Sequence, residues 1–102
     1  MMKKTGLGIE ELLADKREEI LAIALKHGAY NIRVFGSVAR HEANSKSDID
    51  FLVDMGEKHS SWFPVGLIQD LEDLLGREVD VATEKMLHER IRDRVLKEAI
   101  VL

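Results

Sequence analysis

Two aspartates separated by one residue, Asp48 and Asp50, stand directly before the apolar run Phe51 to Val53. Side chains on a β-strand alternate between its faces, so both carboxylates would share one face while Ile49 points into the opposite layer. Two carboxylates this close repel each other, and one tends to stay protonated unless a cation lies between them. Oxygen ligands of this kind suit magnesium or manganese. The spacing therefore predicts a divalent-metal site.

Gly36 and Ser37 stand where a predicted strand ends and a short helix is predicted to begin. A glycine lets the backbone approach a ligand closely, and the N–H groups and dipole of a helix start favour an anion such as phosphate. Ser37 adds a hydroxyl, and Arg40 could reach the same anion in a forked contact, although a structural ion pair is the other interpretation of Arg40. We therefore expect a phosphate site beside the two aspartates.

A third carboxylate is available in the run REVDVAT, residues 77–83. Val79 and Val81 would face one layer of this predicted strand and Asp80 the other. If the strand lies beside the one that carries the aspartate pair, Asp80 joins the same site. Three carboxylates around phosphates can hold two metal ions, one activating an attacking hydroxyl and one steadying the triphosphate and the leaving pyrophosphate. Asp80 would then bind the metal on the nucleophile side and could accept its proton.

Apolar spacing, glycine and proline indicate which elements position these residues. The patterns predict helices over 8–26, 65–75 and 86–97, a short helix over 37–43, and strands over 31–36, 48–55 and 78–83. The tail 98–102 is either the end of the last helix or a short fourth strand. His27 and Gly28 end the first helix, Pro64 fits near the start of a helix, and Gly76 ends it.

The connections between the predicted strands indicate an α/β (α+β) fold with a small mixed sheet of three to four strands and helices packed on it. A short segment links the first two strands, which allows an antiparallel pair, although a crossover is also possible. The helix over 65–75 connects the second strand to the third, and such a crossover makes these two strands parallel. Parallel neighbours would bring Asp80 to the aspartate pair.

Length and composition limit the class of protein. The 102 residues are expected to form a single domain over 1–102, with 45% hydrophobic residues for its core. A net charge of −4 gives no strong sign of nucleic-acid or membrane binding, and the absence of cysteine excludes disulfides, zinc–thiolate sites and thiol nucleophiles. No apolar run approaches the ~20 residues of a membrane span, and the N-terminus lacks the apolar stretch of a signal peptide. We expect a soluble, cytoplasmic protein.

Gly36-Ser37, ten intervening residues and Asp48-Ile49-Asp50 resemble the signature of the polymerase-β-type nucleotidyltransferases. The strings GSVARHEANSKSDIDFLVD and LEDLLGREVDVAT are similar to the minimal nucleotidyltransferases of prokaryotes, with the clearest similarity over residues 32–83. One position departs from that pattern, because such proteins often have glycine where this chain has His41. A glycine there could serve a turn with positive φ, a region that histidine tolerates better than most residues.

The resemblance implies more than the spacing does. The family transfers a nucleoside monophosphate from a nucleoside triphosphate to a hydroxyl, uses magnesium and releases pyrophosphate. Its minimal members are typically encoded beside a HEPN-domain protein, often a ribonuclease toxin, and some act as antitoxins that attach AMP to a tyrosine of that partner. ATP is therefore the expected donor. By position, Gly36, Ser37 and Arg40 would contact the triphosphate, Asp48 and Asp50 would bind metal, and Asp80 matches the third acidic position.

Two other classes of function stay open. The chain could be a stoichiometric antitoxin that neutralises its partner by covering it, without catalysis. It could also transfer a nucleotide to an RNA 3′ end or to a small molecule. The acidic net charge argues against both of these acceptors. Each short motif also has a simpler interpretation, since Gly-Ser alone is a turn and Asp-X-Asp alone is a solvated strand end. Their combination with Asp80 is what indicates a nucleotide site.

The remaining polar residues give weaker signals. Ser47 is interpreted as a turn residue, and His27, His59 and His88 do not cluster into a metal site or a catalytic triad. Arg90, Arg94 and Lys97 share one helix face, for which a solvated surface is the preferred interpretation over a partner or RNA contact. Trp62 and Phe63 either form an exposed anchor or lid, or cap the core beneath the third helix.

Overall fold

The computed structural model describes residues 6–57 and 62–102 of the chain. Its helices and strands in these ranges are α1 (Ile9–Leu12), α2 (Arg17–Lys26), β1 (Ala29–Phe35), α3 (Gly36–Ala39), β2 (Ile49–Met55), α4 (Val65–Leu75), β3 (Val79–Ala82), α5 (Glu89–Glu98) and β4 (Ile100–Val101). Single 3₁₀ turns, Ala14–Lys16 and Glu84–Met86, precede α2 and α5. The predicted loop over 56–63 extends beyond the described residues, since 58–61, including His59, lie outside them, as do residues 1–5.

The four strands form one mixed sheet in the order β3-β2-β1-β4. Strand β1 is antiparallel to both β2 and β4, whereas β2 and β3 are parallel. The short link through α3 turns the chain back on itself, and the crossover through α4 returns it to the same end of the sheet. The prediction of a small mixed sheet is confirmed, and the tail provides the end of α5 and the fourth strand.

The main core lies on one face of the sheet, against α2 and α4. Alternation along the strands sends every second side chain to this face, where apolar residues bury themselves against the helices. The buried members are mainly Ile20, Ala24, Ile32, Val34, Ile49, Phe51, Val53, Leu67, Leu71, Val79 and Val81. Because Val79 and Val81 point into this core, Asp80 points to the opposite face, as the sequence predicted.

The opposite face of the sheet is covered in part by α5. Leu87 and Val95 pack on Leu52 of β2, and Phe35 and Ile91 border this smaller cluster. Helix α5 therefore lies across the centre of this face. The polar end of β2, where Asp50 lies, borders α5 and is not part of the apolar cluster.

The predicted continuous helix over 8–26 is wrong, because the chain turns at Leu13. Leu13 has φ −126° and ψ −26°, outside the helical region, and its side chain is completely buried. The segment from Ala14 to Glu19 carries no large apolar side chain, so a continuous helix would have no apolar face to bury over that stretch. Interrupting the helix allows both Leu13 and Ile20 to enter the core.

Two other helix boundaries also differ from the predictions. The short helix after β1 covers Gly36–Ala39 rather than 37–43, because His41 takes a positive φ of 59° that ends it. Helix α5 begins at Glu89 rather than at residue 86, since His88 is extended and its Nδ1 accepts the N–H of Arg90 at 3.1 Å. The predicted ends at His27 and Gly76 and the start at Pro64 are confirmed.

The two aromatic residues before Pro64 have different environments. Trp62 is 75% exposed, whereas Phe63 is partly buried and packs against the main core. Phe63 therefore agrees with the core-capping interpretation and Trp62 does not, and a role of Trp62 as an anchor or lid stays a prediction. Among the described residues, the helices are too short and too polar for any of them to cross a membrane.

Candidate active site

The turn that joins β1 to α3 brings backbone directly against a carboxylate. Phe35, the last residue of β1, is the register partner of Asp50 on β2, and Gly36 follows with φ +74°. A Cβ atom on residue 36 would overlap Oδ2 of Asp50. Glycine is therefore required here on two grounds, the positive φ and the close approach to the carboxylate.

Asp50 and Asp80 are register partners on the parallel strands β2 and β3. Residues in register on neighbouring strands point to the same face, with their backbones about 4.8 Å apart. Asp48 lies one residue before β2 and is exposed, so only Asp50 of the predicted pair is on the strand itself. The first ladder bond of this pair of strands runs from the N–H of Ile49 to the carbonyl of Glu78 (3.0 Å), which leaves Asp48 at the end of the preceding loop.

Negative charge is crowded at Asp50. Burial, and then the neighbouring carboxylates of Asp80 and Asp48, raise the pKa of Asp50 to about 6, while the charge of Arg40 partly opposes the shift. Asp80 has a larger effect than Asp48, which agrees with its position beside Asp50 in the sheet. A cation bound to these carboxylates would remove their mutual repulsion.

The donor set fits magnesium, which binds through one or two carboxylates and completes its shell with water and phosphate oxygens. In the part of the chain that the structure describes, no group of three or more Asp, Glu, His or Cys side chains converges to form a complete metal site. A metal ion bound at these carboxylates would therefore take its remaining ligands from substrate and water.

A cleft of about 410 Å³ opens in front of Asp50. It is lined by Phe35, Gly36, Ser37, Arg40, Ser47, Asp48, Asp50, Ile91, Arg94, Val95 and Glu98. All the residues predicted for phosphate or metal binding except Asp80 contribute to this lining. The α3 turn forms one wall, the loop before β2 forms another, and α5 forms the third.

The donors on the α3 wall are bound to carboxylates of the chain itself. The N–H of Gly36 donates to Oε2 of Glu98 at 2.7 Å, and Nη1 of Arg40 donates to Oε1 of the same carboxylate, also at 2.7 Å. Arg40 also pairs through Nε with Glu42 at 2.8 Å. Helix α3 has four residues, so its dipole adds little, and the individual donors are the groups that could bind an anion here.

The loop that ends at Asp48 is held by hydrogen bonds. The N–H of Asn44 donates to Oγ of Ser47 at 2.9 Å, in agreement with the interpretation of Ser47 as a turn residue. Arg77, just before β3, donates through Nη1 to the carbonyl oxygens of Asn44 (2.9 Å) and Ser47 (3.1 Å). Arg77 therefore fixes the loop against β3 and with it the position of Asp48.

His41 adopts the positive φ that its place in the sequence suggested, at 59°. Its Nε2 pairs with Oε1 of Glu11 at 2.8 Å, so the side chain connects the end of the α3 turn to α1. The absence of glycine at this position is thus compatible with the turn.

Sequence reasoning missed the contribution of α5 and of Arg77. Ile91, Arg94, Val95 and Glu98 recur at i, i+3, i+4 and i+7, the spacing of one helix face, and this face borders the cleft. The solvated interpretation fits Arg90 and Lys97, which are exposed, but Arg94 also lines the cleft. The spacing of this helix face can be recognised in the sequence, but nothing in the sequence indicated that the face lies against Gly36.

Comparison with known proteins agrees with this geometry. Residues 17–102 match the family described as the nucleotidyltransferase domain. A Methanocaldococcus jannaschii protein named "Putative protein adenylyltransferase MJ0435" is 45% identical over 84 residues, which cover 82% of this chain and 90% of that protein. Protein adenylyltransferase MntA of Thermococcus cleftensis is 37% identical over 92 residues, which cover 90% of each chain.

Solved structures show the same fold. A structure described as a "putative minimal nucleotidyltransferase" superposes with a TM-score of 0.80 at 44% identity and covers 94% of this chain and 97% of that chain. A toxin–antitoxin crystal structure with AMP-PNP has a TM-score of 0.70 at 20% identity, over 82% of this chain and 69% of that chain, a likeness of fold alone. With the match over residues 17–102 and the cleft between α3, β2 and α5, the chain belongs to the nucleotidyltransferase domain family and is a nucleotidyltransferase.

Proposed function

We propose that this nucleotidyltransferase is a magnesium-dependent protein adenylyltransferase, which transfers AMP from ATP to a tyrosine of a HEPN-family toxin and so acts as its antitoxin. The observation that carries the proposal is the placement of Gly36 and Arg40, donors suited to phosphate, in one open cleft with the crowded carboxylate Asp50. Phosphate donors beside a carboxylate pair match the needs of a metal–nucleotide substrate.

The names of similar proteins support the finer parts of the proposal. Two relatives, at 45% and 37% identity, carry the name protein adenylyltransferase, which supports AMP as the transferred group and a protein as the acceptor. The toxin–antitoxin structure of the same fold contains AMP-PNP, which supports an adenine nucleotide and a toxin partner. The HEPN family of that partner and its tyrosine follow from the resemblance of the motifs.

In the proposed reaction, the N–H of Gly36, the hydroxyl of Ser37 and the guanidinium of Arg40 bind oxygens of the triphosphate. Asp48 and Asp50 would hold one magnesium ion, and Asp50 and Asp80 a second. Magnesium, when bound, offsets the charge of the phosphates and carboxylates and lowers the pKa of the attacking hydroxyl. A bond forms between the tyrosine oxygen and the α-phosphorus as the bond from that phosphorus to the pyrophosphate oxygen breaks. Asp80 takes up the tyrosine proton, and pyrophosphate leaves.

The test uses the chain produced together with the protein encoded beside its gene. The pair is incubated with ATP and magnesium, and both proteins are weighed by intact-protein mass spectrometry. We expect additions of AMP mass on the neighbour, and none with Asp48→Asn/Asp50→Asn. The matched control is Asp54→Asn, on the same face of β2 but paired with Arg33 away from the cleft, and it should still modify the neighbour.

Two outcomes would contradict the proposal. If the wild-type pair forms a stable complex without added mass, and the Asp48→Asn/Asp50→Asn variant still neutralises the neighbour, the chain is an antitoxin that acts by binding alone. If mass is added to RNA ends and not to protein, the acceptor class is wrong while the nucleotidyltransferase chemistry stands.

A further inference from the structure

The carboxylate of Glu98 makes contacts like those that a bound phosphate group would make. It lies in the last turn of α5, its side chain is 15% exposed, and its two oxygens bind different donors of the α3 wall. Oε2 accepts the N–H of Gly36 and Oε1 accepts Nη1 of Arg40, each at 2.7 Å. A backbone N–H and a guanidinium that converge on two oxygens of one anion form a typical arrangement for phosphate.

The electrostatics of the cleft show that these two donors hold Glu98 in place. Burial alone would raise the pKa of Glu98, but the hydrogen bonds from Arg40 and from the N–H of Gly36, with the charges of Arg40 and Arg94, outweigh burial and lower the pKa. These two donors therefore favour the charged form of Glu98. Its charge also adds to the negative field at Asp50.

We infer that Glu98 occupies the phosphate site of the nucleotide-free protein, so that a nucleotide must displace this side chain before it can bind. The inference rests on the proposed function, since it takes Gly36 and Arg40 as triphosphate ligands. A side chain attached to the same chain competes at a high effective concentration. Glu98 would therefore lower the apparent affinity for every nucleotide by the same factor, because each of them must displace the same side chain.

A positioning role for Glu98 would predict the opposite change in nucleotide affinity. If the carboxylate served to hold Arg40 and the backbone of Gly36 in the geometry that the nucleotide needs, its removal would weaken binding. If it competes with the nucleotide, removing its charge strengthens binding. The direction of the change therefore distinguishes a competing residue from a positioning residue.

The experiment measures binding of ATP with magnesium to the purified chain by isothermal titration calorimetry, for wild type, Glu98→Gln and Glu42→Gln. Glu42 is the matched control, because it pairs with Arg40 at 2.8 Å, is 55% exposed, and is not among the residues that line the cleft. We expect the Kd of Glu98→Gln to fall by about 5- to 10-fold and that of Glu42→Gln to stay within about twofold, since the substitution removes the charge that strengthens both contacts of Glu98. Pyrophosphate, titrated in the same way, should gain affinity by about the same factor as ATP, because it must displace the same side chain.

Two other results of this titration count against the inference. If wild type binds ATP and Glu98→Gln binds with equal or lower affinity, Glu98 does not compete with the nucleotide, and the proposed function stands. If neither wild type nor Glu98→Gln binds ATP, the proposed function fails and the inference with it.

Should Glu98→Gln fail to give a cooperative thermal unfolding transition, Glu98→Asp provides the same test, because its shorter side chain keeps the charge but cannot bridge both donors. Its Kd should also fall below that of wild type, and an unchanged Kd would overturn the inference.

Discussion

The two ends of strand β2 carry aspartates on the same face, Asp50 and Asp54, in opposite electrostatic settings. Asp54 pairs with Nη2 of Arg33 at 2.8 Å and accepts Nδ2 of Asn31 at 2.9 Å. Asp50 has the carboxylates of Asp80 and Asp48 as neighbours, and among the described residues none donates a hydrogen bond to it. The fold thus neutralises the carboxylate of Asp54 internally and leaves that of Asp50 without such a partner among the described residues, which is the difference expected between a structural residue and a ligand-binding one.

The largest expected effect is a difference in the rate of AMP transfer between variants of Asp50 and of Asp54. Asp50→Asn should lower the rate of AMP transfer by at least about 10²- to 10³-fold, because it removes a charged ligand of the metal–nucleotide substrate. Asp54→Asn should keep the rate within a few-fold of wild type. The measurement is a time course of adenylylation with the co-produced partner. If both substitutions lowered the transfer rate equally, the rate would depend on the stability of β2. Asp50 and Asp54 would then not differ in function.

The next test compares two glycines with positive φ. Gly36→Ala combines a positive φ of 74° with overlap on Asp50, whereas Gly76 has φ 67° and open space where a Cβ would stand. We expect Gly76→Ala to cost about 1 kcal/mol of unfolding free energy and Gly36→Ala about 2–3 kcal/mol, with loss of ATP binding only in the latter. Urea unfolding and calorimetry would measure these changes. If both variants bind ATP as wild type does, Gly36 is a turn residue alone.

A smaller effect concerns stability against pH. The folded protein raises the pKa of Asp50 to about 6, above the value of about 4 for an unfolded chain, so protonated Asp50 is the form that the fold favours. Its contribution to stability is fully present below about pH 4 and is lost as the pH rises through about 6. A shift of two pKa units corresponds to about 3 kcal/mol, and solvent screening reduces this to about 1–2 kcal/mol.

Asp50→Asn should therefore be more stable than wild type at pH 7.5 without magnesium, by about 1–2 kcal/mol or several degrees in Tm, and equal to it near pH 4. Asp54→Asn should be less stable at pH 7.5, because it loses the pair with Arg33, which is worth about 0.5–1 kcal/mol. Thermal unfolding followed by circular dichroism across this pH range provides the measurement. A destabilised Asp50→Asn protein would show that Asp50 has a structural partner after all.

The smallest effect concerns His41 at the same end of the sheet. His41→Gly relieves the positive φ of 59° but removes the contact of Nε2 with Oε1 of Glu11, so the two changes oppose each other. We expect the unfolding free energy to change by less than about 1 kcal/mol and AMP transfer to stay unchanged. A loss of transfer without a loss of stability would place His41 in the site.

Local signals in the sequence predicted the parts of the site that lie close together along the chain. Gly36-Ser37 lie in the turn after β1, Asp48 and Asp50 lie at the start of β2, just before it and on it, and alternation along REVDVAT predicted the direction of Asp80. The parallel pairing of β2 and β3 followed from the crossover helix between them. These inferences needed only periodicity and the rules of chain connection, which is why the sheet and the aspartates could be predicted.

The parts that the sequence did not predict depend on packing between distant elements. Glu98 contacts Gly36 across 62 residues, and this contact exists because Val95 and Leu87 seat α5 on Leu52. The turn at Leu13 likewise depends on which side chains the core can bury. Arg77 binds a loop 30 to 33 residues away through backbone carbonyls, which carry no sequence signal. Periodicity identifies a face of a helix, but not what that face meets.

The most direct test of the proposed nucleotide site is a crystal structure of the chain with AMP-PNP and magnesium. We predict phosphate oxygens within hydrogen-bond distance of the Gly36 N–H and the Arg40 guanidinium, and Glu98 turned away from both. Metal should lie on Asp50. A nucleotide bound elsewhere, for example in the cleft between Tyr30 and Met86 at the other end of β2, would contradict the proposed nucleotide site at Asp50. A nucleotide in the Asp50 cleft with Glu98 still bound to Gly36 would leave the active site in place and reject the role inferred for Glu98.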